Sequence, residues 1–440
     1  MNFRRLHPNI KLRMGIGFVQ RMLAVMLVPL MVIHLAALYG AATAGVLTLV
    51  VAAAGICSNF AGGHLADIVG RKPLLVMGEA GAAVSFAALA LANSPWWQSG
   101  VATFVFYLAN TCLSGAATPA ADAMMVDVST PESRPLVYTL NYWSINMAFT
   151  AGALIGGFLY GGHFALLLTG GAALSLVTAS VTWRWLAETA PSLDPSLTGT
   201  PDAVARPAGG ITAMLRGYLS VARDHVFFRL LAAAVLTRSI EVQISYYIAV
   251  RLSAHFPRQT LAGLGAWSPR LDGVAMLGVL RAVNTALVVA LALFANSLFR
   301  RLSDRTRLYA GISVFTAGYM VWAVSDSGWG LIGAAVVLTI GEVVNVPVKQ
   351  AILADLVDPA ARSKYMAAYG LNARIGLLVG SLFVTLGALV PPLGISLLYG
   401  VFGLAAILLY RSLLRLRDIR GAVPGTAIAE AAAFPKGVTS

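Results

Sequence analysis

The chain has 440 residues, of which 58% are hydrophobic and 11% charged, and its formal net charge is +13. Soluble domains carry about 25% charged residues, so this composition excludes a disordered chain, a disulfide scaffold and an ordinary cytosolic enzyme. Whether the positive charge serves a nucleic acid or a membrane depends on where it sits. Cys57 and Cys112 both lie in apolar runs, the setting of packing residues rather than of a disulfide.

Long apolar runs separated by short polar breaks recur from end to end. Membrane-crossing helices are expected near 14–37, 43–64, 73–93, 100–126, 137–160 and 163–186, then near 227–251, 274–298, 307–326, 329–354, 365–389 and 392–412. Each is close to the roughly 20 residues a helix needs to cross a bilayer. The expected fold is an all-α integral membrane protein of twelve transmembrane helices in two pseudo-symmetric six-helix bundles. The first bundle takes residues 1–190 and the second 226–415. Between them, 191–225 forms a cytoplasmic linker that opens on a Pro/Gly-rich stretch. In it Ile211, Met214, Leu215, Tyr218 and Leu219 recur at helical spacing, with Arg216 and Arg223 among them. That pattern suggests an amphipathic helix on the membrane surface. Residues 416–440 form a cytoplasmic tail.

With the N-terminus inside, 23 of the 31 basic residues fall at cytoplasmic segments and span ends, from Arg4, Arg5, Lys11 and Arg13 to Arg411 and Arg415. Three, Arg251, Arg258 and Arg270, fall outside, and five lie within spans. This positive-inside bias places both termini in the cytoplasm. A nucleic-acid patch would be contiguous, whereas these charges are dispersed. No small-residue cleavage site follows the basic N-terminus, so no removed signal peptide is expected.

The halves repeat. Pro119, Ala123, Asp127, Pro131 and Arg134 recur as Pro347, Ala351, Asp355, Pro359 and Arg362, without gaps at an offset of 228. Duplicated halves are a transporter signature, with the substrate site expected between them near the midplane.

Between spans two and three stands Gly63-His-Leu-Ala-Asp67-Ile-Val-Gly70-Arg71-Lys72-Pro. Gly63 suits close helix approach, Gly70 a tight turn, and Arg71 and Lys72 an anchor at the inner surface; Asp67 sits at a helix end near those cations. This loop resembles the loop 2–3 signature of the major facilitator superfamily at nearly every position. The resemblance implies a conformational latch, which assigns Asp67 and Arg71 to gating. The counterpart around Arg300, Arg301, Asp304 and Arg305 is degenerate.

A finer resemblance, to the proton-coupled multidrug antiporter branch of the lactococcal type, covers most of the chain. Its residues include Asp127, Ser129, Glu132, Arg134, Leu140, Tyr142, Trp143 and Asn146, then Gly341, Glu342, Pro347, Gln350, Asp355 and Pro359. It implies cation recognition and proton coupling at Glu342 and conformational coupling at Asp127. There are departures. Asn141 stands where a carboxylate is expected, Asn110 where many family antiporters carry arginine, and Gly152 to Gly157 lacks the antiporter proline.

Ionisable groups in hydrocarbon are costly, so each is a functional hypothesis. In span ten, Glu342, Asn345 and Lys349 stand at i, i+3 and i+7 on one helical face. Burial disfavours a charged carboxylate and a nearby cation restores it; that competition is the physical basis of proton/cation antiport. The competing reading is a structural Glu342–Lys349 pair. In span seven, Arg238 and Glu241 either neutralise each other or meet substrate. Arg374 either partners Glu342 or lines the cavity, and Arg21 beside Gln20 has the same ambiguity. Arg281 is expected to snorkel to the outer surface. Asn110, Ser114, Thr118 and Asp122 form a polar face of span four, with Asp122 a cavity residue or a packing residue. Asp127 and Asp355, near Arg134 and Arg362, read as latch salt bridges. Tyr142, Trp143, Tyr365 and Tyr369 offer faces to apolar cations or serve as core. His34 reads as packing rather than as a proton relay.

No phosphate-binding Gly-x-x-x-x-Gly-Lys loop, zinc-type histidine cluster or Gly-x-Ser-x-Gly elbow is present in the sequence. The expected protein is a secondary active transporter of the bacterial inner membrane, not an enzyme. It exports lipophilic or cationic drug-like compounds against protons by alternating access, as a monomer, without cofactor or nucleic-acid partner. The five basic groups against four carboxylates (Glu79, Asp122, Glu241 and Glu342) within spans keep a second reading open. That reading is a carrier of an anionic or zwitterionic metabolite, peptide or lipid-like substrate.

Overall fold

The computed structural model describes residues 6–130, 132–189, 224–261, 270–292, 302–357 and 362–422. The first-half helices are α1 (Pro8–Val69), α2 (Arg71–Ala92), α3 (Gly100–Asp127) and α4 (Arg134–Trp185). The second half contains α5 (His225–Glu241), a 3₁₀ turn (Val242–Ser245), α6 (Tyr247–His255), α7 (Gly273–Ala292), α8 (Asp304–Val324), α9 (Gly328–Leu356), α10 (Arg362–Leu389) and α11 (Pro392–Ala422). Eight of these helices are long and apolar enough to cross a membrane. The expected amphipathic helix, Arg300, Arg301, Pro131, Pro359 and most of the tail lie outside the described residues.

α1 and α4 are each far longer than one crossing, at 62 and 52 residues, and each contains one non-helical residue. In α1 it is Gly40, at φ 80° and ψ 157°. A side chain there would be strained, so glycine lets the chain reverse at that point. In α4 it is His163, at φ −133°. The sequence reading of two spans within each stretch matches these breaks. Asn9 near the start of α1 bonds Ala187, and Glu188 caps α2 at Arg71 and Lys72, so the starts of α1 and α2 and the end of α4 share one end of the bundle, the terminal end. The opposite end carries two minimal hairpins, Asn93–Ser94 paired with Trp97–Gln98 and Gln259–Thr260 paired with Arg270–Leu271.

The repeat extends into the helix boundaries. α3 and α9 begin at Gly100 and Gly328, and α4 and α10 at Arg134 and Arg362, each pair 228 residues apart. The N-cap serines repeat as well. Ser99 Oγ accepts from Ala102 N and Ser327 Oγ from Gly330 N, both at 3.2 Å, satisfying amides that a helix start leaves unpaired. Pro119 and Pro347 sit inside α3 and α9.

The halves meet chiefly along two seams, α1 with α10 and α4 with α7, with a smaller contact of α1 with α6 and the 3₁₀ turn. At the first, Gly45 lies against the Thr385 and Ser381 backbone, and Thr385 Oγ1 donates to Ala42 O at 3.1 Å. At the second, Gly157 faces Gly278 with backbone on backbone. Both contacts lie toward the end opposite the termini. One apolar core, from Leu23 and Leu35 to Phe383 and Tyr399, runs through both halves there. Outward positions such as Val84, Val101, Leu176 and Leu393 are exposed. In water such a surface would aggregate, whereas lipid tails cover it without penalty.

Candidate transport site

At the terminal end, Gly70 links α1 to α2 with φ 101°, the left-handed conformation a tight turn needs. Arg71 pairs with Asp127 of α3 and has Asp67 within electrostatic reach. The Glu188 carboxylate caps α2, accepting from Arg71 N at 3.3 Å and Lys72 N at 3.0 Å. Glu188 went unremarked in the sequence because it stands 116 residues from Lys72. Two expectations change here. Asp127 takes Arg71, while Arg134 turns its Nε to Ser129 Oγ at 3.4 Å. The close helix approach falls at Gly62, where a Cβ would run into the Ala116 carbonyl; at Gly63 a Cβ would only touch Pro119 at 3.9 Å. Asp355 occupies the matching end of α9, and the Arg362 side chain lies outside the described residues. In the loop beyond α3, exposed Glu132 accepts from its own backbone amide and the Thr130 hydroxyl, which hold its carboxyl below the usual range.

Inside the first half, Glu79 of α2 is 3% exposed and fully bonded. It accepts from Arg13 Nη1 at 3.2 Å, Gln20 Nε2 at 2.7 Å and Thr182 Oγ1 at 2.6 Å. Arg13 is therefore a buried structural cation and not the surface charge its position suggested. Asp122 stands exposed on α3 with Arg21 and Arg13 as its charged neighbours. Asn110 is buried and reaches the Ala82 carbonyl of α2 at 3.4 Å.

The second half concentrates charge around α9. Glu342 accepts from Asn284 Nδ2 of α7 at 3.1 Å, and the same amide reaches Thr339 Oγ1 at 2.9 Å. Glu241, Lys349 and Arg281 are its charged neighbours. Arg238 Nη1 and Glu241 Oε1 close a pair at 2.5 Å, and Tyr319 Oη donates to the Glu241 carbonyl at 3.0 Å. Asn345 is drawn away from this group. It is buried, bonds back to Gly341 O at 2.7 Å and packs against Gly311 of α8. Lys349 has Glu241 and Glu342 as charged neighbours.

Arg281 and Arg251 depart from their expected places, and Arg374 loses one of its two readings. Arg281 does not snorkel outward. Its guanidinium carbon lies 5.5 Å from the Phe149 ring centroid of α4, beside a cleft lined by Met26, Gly152, Ile244 and Leu277. Arg374 does not partner Glu342. It donates to Asn59 Oδ1 and stands 4.8 Å from the Phe60 ring centroid. Arg251, expected on the outer surface, is buried at 6% exposure, bonding Asp326 at 2.5 Å and Ser325 O at 2.8 Å. It borders a cavity of about 770 Å³ at the end opposite the termini, with Tyr160, Tyr247, His255 and Asp272.

Of the remaining candidates, Tyr142 and Trp143 are exposed on α4 and Asn141 is half-buried. Tyr365 and Tyr369 pack in an apolar cluster of the second half; Tyr365 Oη reaches Asp224 Oδ2 at 3.1 Å. His34 stacks on Phe164 at 4.8 Å. Among the described residues no cluster suited to a metal ion occurs.

Two helical halves meeting along two seams, with ionisable groups held in the apolar interior, define a multi-pass membrane transporter rather than an enzyme. The chain belongs to the Major Facilitator Superfamily, whose profile matches residues 14–341. It is similar to a Na(+), Li(+), K(+)/H(+) antiporter of Planococcus maritimus, 26% identical over 390 residues, covering 88% of this chain and 91% of that protein. It also resembles the multidrug resistance protein MdtH of Edwardsiella ictaluri, 26% identical and covering 72% of this chain and 70% of the relative. A crystal structure of an auto-inhibited POT family peptide transporter shares the fold, with a TM-score of 0.69 at 16% identity, covering 93% of this chain and 97% of that one.

Proposed function

We propose that this transporter exports lipophilic or cationic compounds in exchange for protons by alternating access, and that Glu342 is the shared proton and cation site. The observation that carries the reading is the kind of bond Glu342 makes. Glu79 and Glu241 accept from guanidinium groups, whereas Glu342 accepts from the neutral amide of Asn284. A carboxylate already paired with arginine has little to gain from a new cation. One held by an amide at low dielectric gains from either a proton or a substrate cation. The two therefore compete for one group. The named activities of the antiporter and multidrug relatives agree with this reading.

The protein sits in the bacterial inner membrane with both termini cytoplasmic, following the positive-inside distribution. That orientation puts the seam contacts and the cavity of about 770 Å³ beside Arg251 toward the outside and the Gly70 turn at the cytoplasmic side. Asp127 with Arg71 forms the latch on that side, Asp355 and Arg362 its counterpart.

A specific observation supports the second reading. Once Arg238 is paired with Glu241, Lys349 and Arg281 remain as two cations near the single carboxylate Glu342, an excess that suits an anionic or zwitterionic substrate. Proteoliposomes separate the two. With an imposed pH gradient, wild-type protein takes up a cationic dye, and Glu342→Gln loses gradient-driven uptake while keeping normal expression. Undiminished gradient-driven uptake in that variant would remove Glu342 from the mechanism.

A further inference from the structure

The two seams share a feature that their different helices do not require. In each, an arginine of the second half lies on a phenylalanine ring of the first. At α4–α7 it is Arg281 on Phe149, at 5.5 Å; at α1–α10 it is Arg374 on Phe60, at 4.8 Å. Both separations fall within the roughly 6 Å at which a cation is attracted to a ring face. Among the described residues neither guanidinium forms an ion pair with a carboxylate. Arg374 adds one bond to Asn59 Oδ1, and Asn59 in turn donates to the Gly115 carbonyl at 3.2 Å. Arg281 has Glu241, Glu342, Arg238 and Tyr319 as its charged or titratable neighbours.

A guanidinium is flat, delocalised and weakly hydrated. To an aromatic face it resembles a lipophilic organic cation. The cleft beside Arg281 holds only about 20 Å³ of free space, room for roughly one water, so a larger guest enters only when its lining, Arg281 included, moves. Phe60 is 50% exposed, so its ring is not sealed in core. We propose that Phe149 and Phe60 are aromatic subsites for a delocalised organic cation, occupied in the empty carrier by Arg281 and Arg374 as tethered stand-ins. The substrate displaces an arginine from its ring and, in the place of Arg281, gains Glu342 as a charged neighbour that no guanidinium pairs. This rests on the cationic-substrate reading above and accounts for its awkward feature: the surplus basic groups are internal competitors, not anion ligands.

The test is a double-mutant cycle on tetraphenylphosphonium binding to the full chain in nanodiscs, by equilibrium dialysis at fixed pH and salt. Phe149→Leu and Phe60→Leu each weaken binding by about three-fold or more, and Arg281→Met and Arg374→Met each tighten it by about the same factor. A purely structural role would weaken binding in all four. In the Phe149→Leu background the gain from Arg281→Met disappears, because there is no longer a face to compete for. A gain that persists undiminished there marks simple charge repulsion and overturns the inference, as does weaker binding in the arginine variants. If Arg281→Met does not fold, Arg281→Lys serves, since it keeps the charge but stacks poorly; it tightens binding modestly, and no gain overturns the inference. Absence of binding to wild-type protein overturns the inference even where Glu342→Gln abolishes gradient-driven uptake. Uptake unchanged in Glu342→Gln would instead sink the proton-coupling reading and leave the cycle to be judged by its own numbers.

Discussion

Glu79 and Glu342 are both intramembrane carboxylates, and their surroundings assign them opposite tasks. Glu79 is closed by Arg13, Gln20 and Thr182, drawn from α1 and α4, with the ion-paired side chains 4% and 2% exposed. Removing one partner of such a pair leaves an uncompensated buried charge, at a cost of about 3–5 kcal/mol. Glu79→Ala is therefore expected to lower the thermal unfolding temperature sharply, read by fluorescence-detected size exclusion after heating. The double variant Glu79→Leu with Arg13→Met recovers most of the loss, because no charge is then left buried. A Glu79→Ala protein as stable as wild type would contradict this placement. The sequence presented Glu79 only as one of four carboxylates within spans. Its partners lie 66, 59 and 103 residues away, and no local pattern points to them.

Among the elements, the helices themselves were legible because apolar runs of membrane length leave a backbone few alternatives. The reversal inside α1 was legible too, as a gap between two runs, although only the backbone marks Gly40 as the hinge. Helix pairing was not legible. Glycine is common throughout the chain, and which glycine meets a neighbour depends on rotation about the helix axis. Hence the approach placed at Gly63 belongs to Gly62. The same geometry yields a test at the α4–α7 seam. A Cβ at Gly278 would stand 2.7 Å from the Ala153 carbonyl, closer than real Cβ atoms come. Gly278→Val is expected to push α7 off α4 and cut uptake by about ten-fold, a barrier change near 1.4 kcal/mol, with expression retained. Gly162→Ala, where a Cβ meets nothing within 4 Å, leaves uptake unchanged. Equal uptake in both variants would show that the seam tolerates separation.

For the whole molecule, topology and alternating access stand on charge placement and on where the halves touch. With Cys57 and Cys112 replaced by serine, single cysteines at Gly162 and Ala254 are expected to react with a membrane-impermeant maleimide from outside intact cells. A cysteine at Glu132 reacts only after lysis. The reverse pattern would invert the positive-inside assignment. If the carrier rocks as proposed, locking it with a disulfide across the α1–α10 seam, between cysteines at Ala42 and Thr385, which are already joined by a hydrogen bond, stops uptake and reduction restores it.

Membership of a helical membrane class, the duplicated halves and the family's loop between spans two and three followed from sequence alone. Hydrophobic length, charge dispersion and motif spacing are one-dimensional properties, and the bilayer admits few structures that satisfy them. The tertiary structure decided which charges are neutralised and which remain available. Arg13 went to Glu79, Asp127 to Arg71, and Arg281 and Arg374 to rings across the seams. Those partnerships depend on side chains from distant segments arriving within a few ångströms of one another, where low dielectric makes each pairing strong. The distribution of the +13 along the chain is the basis of its proposed orientation; the few charges inside the membrane acquire their roles only from the neighbours that folding brings to them.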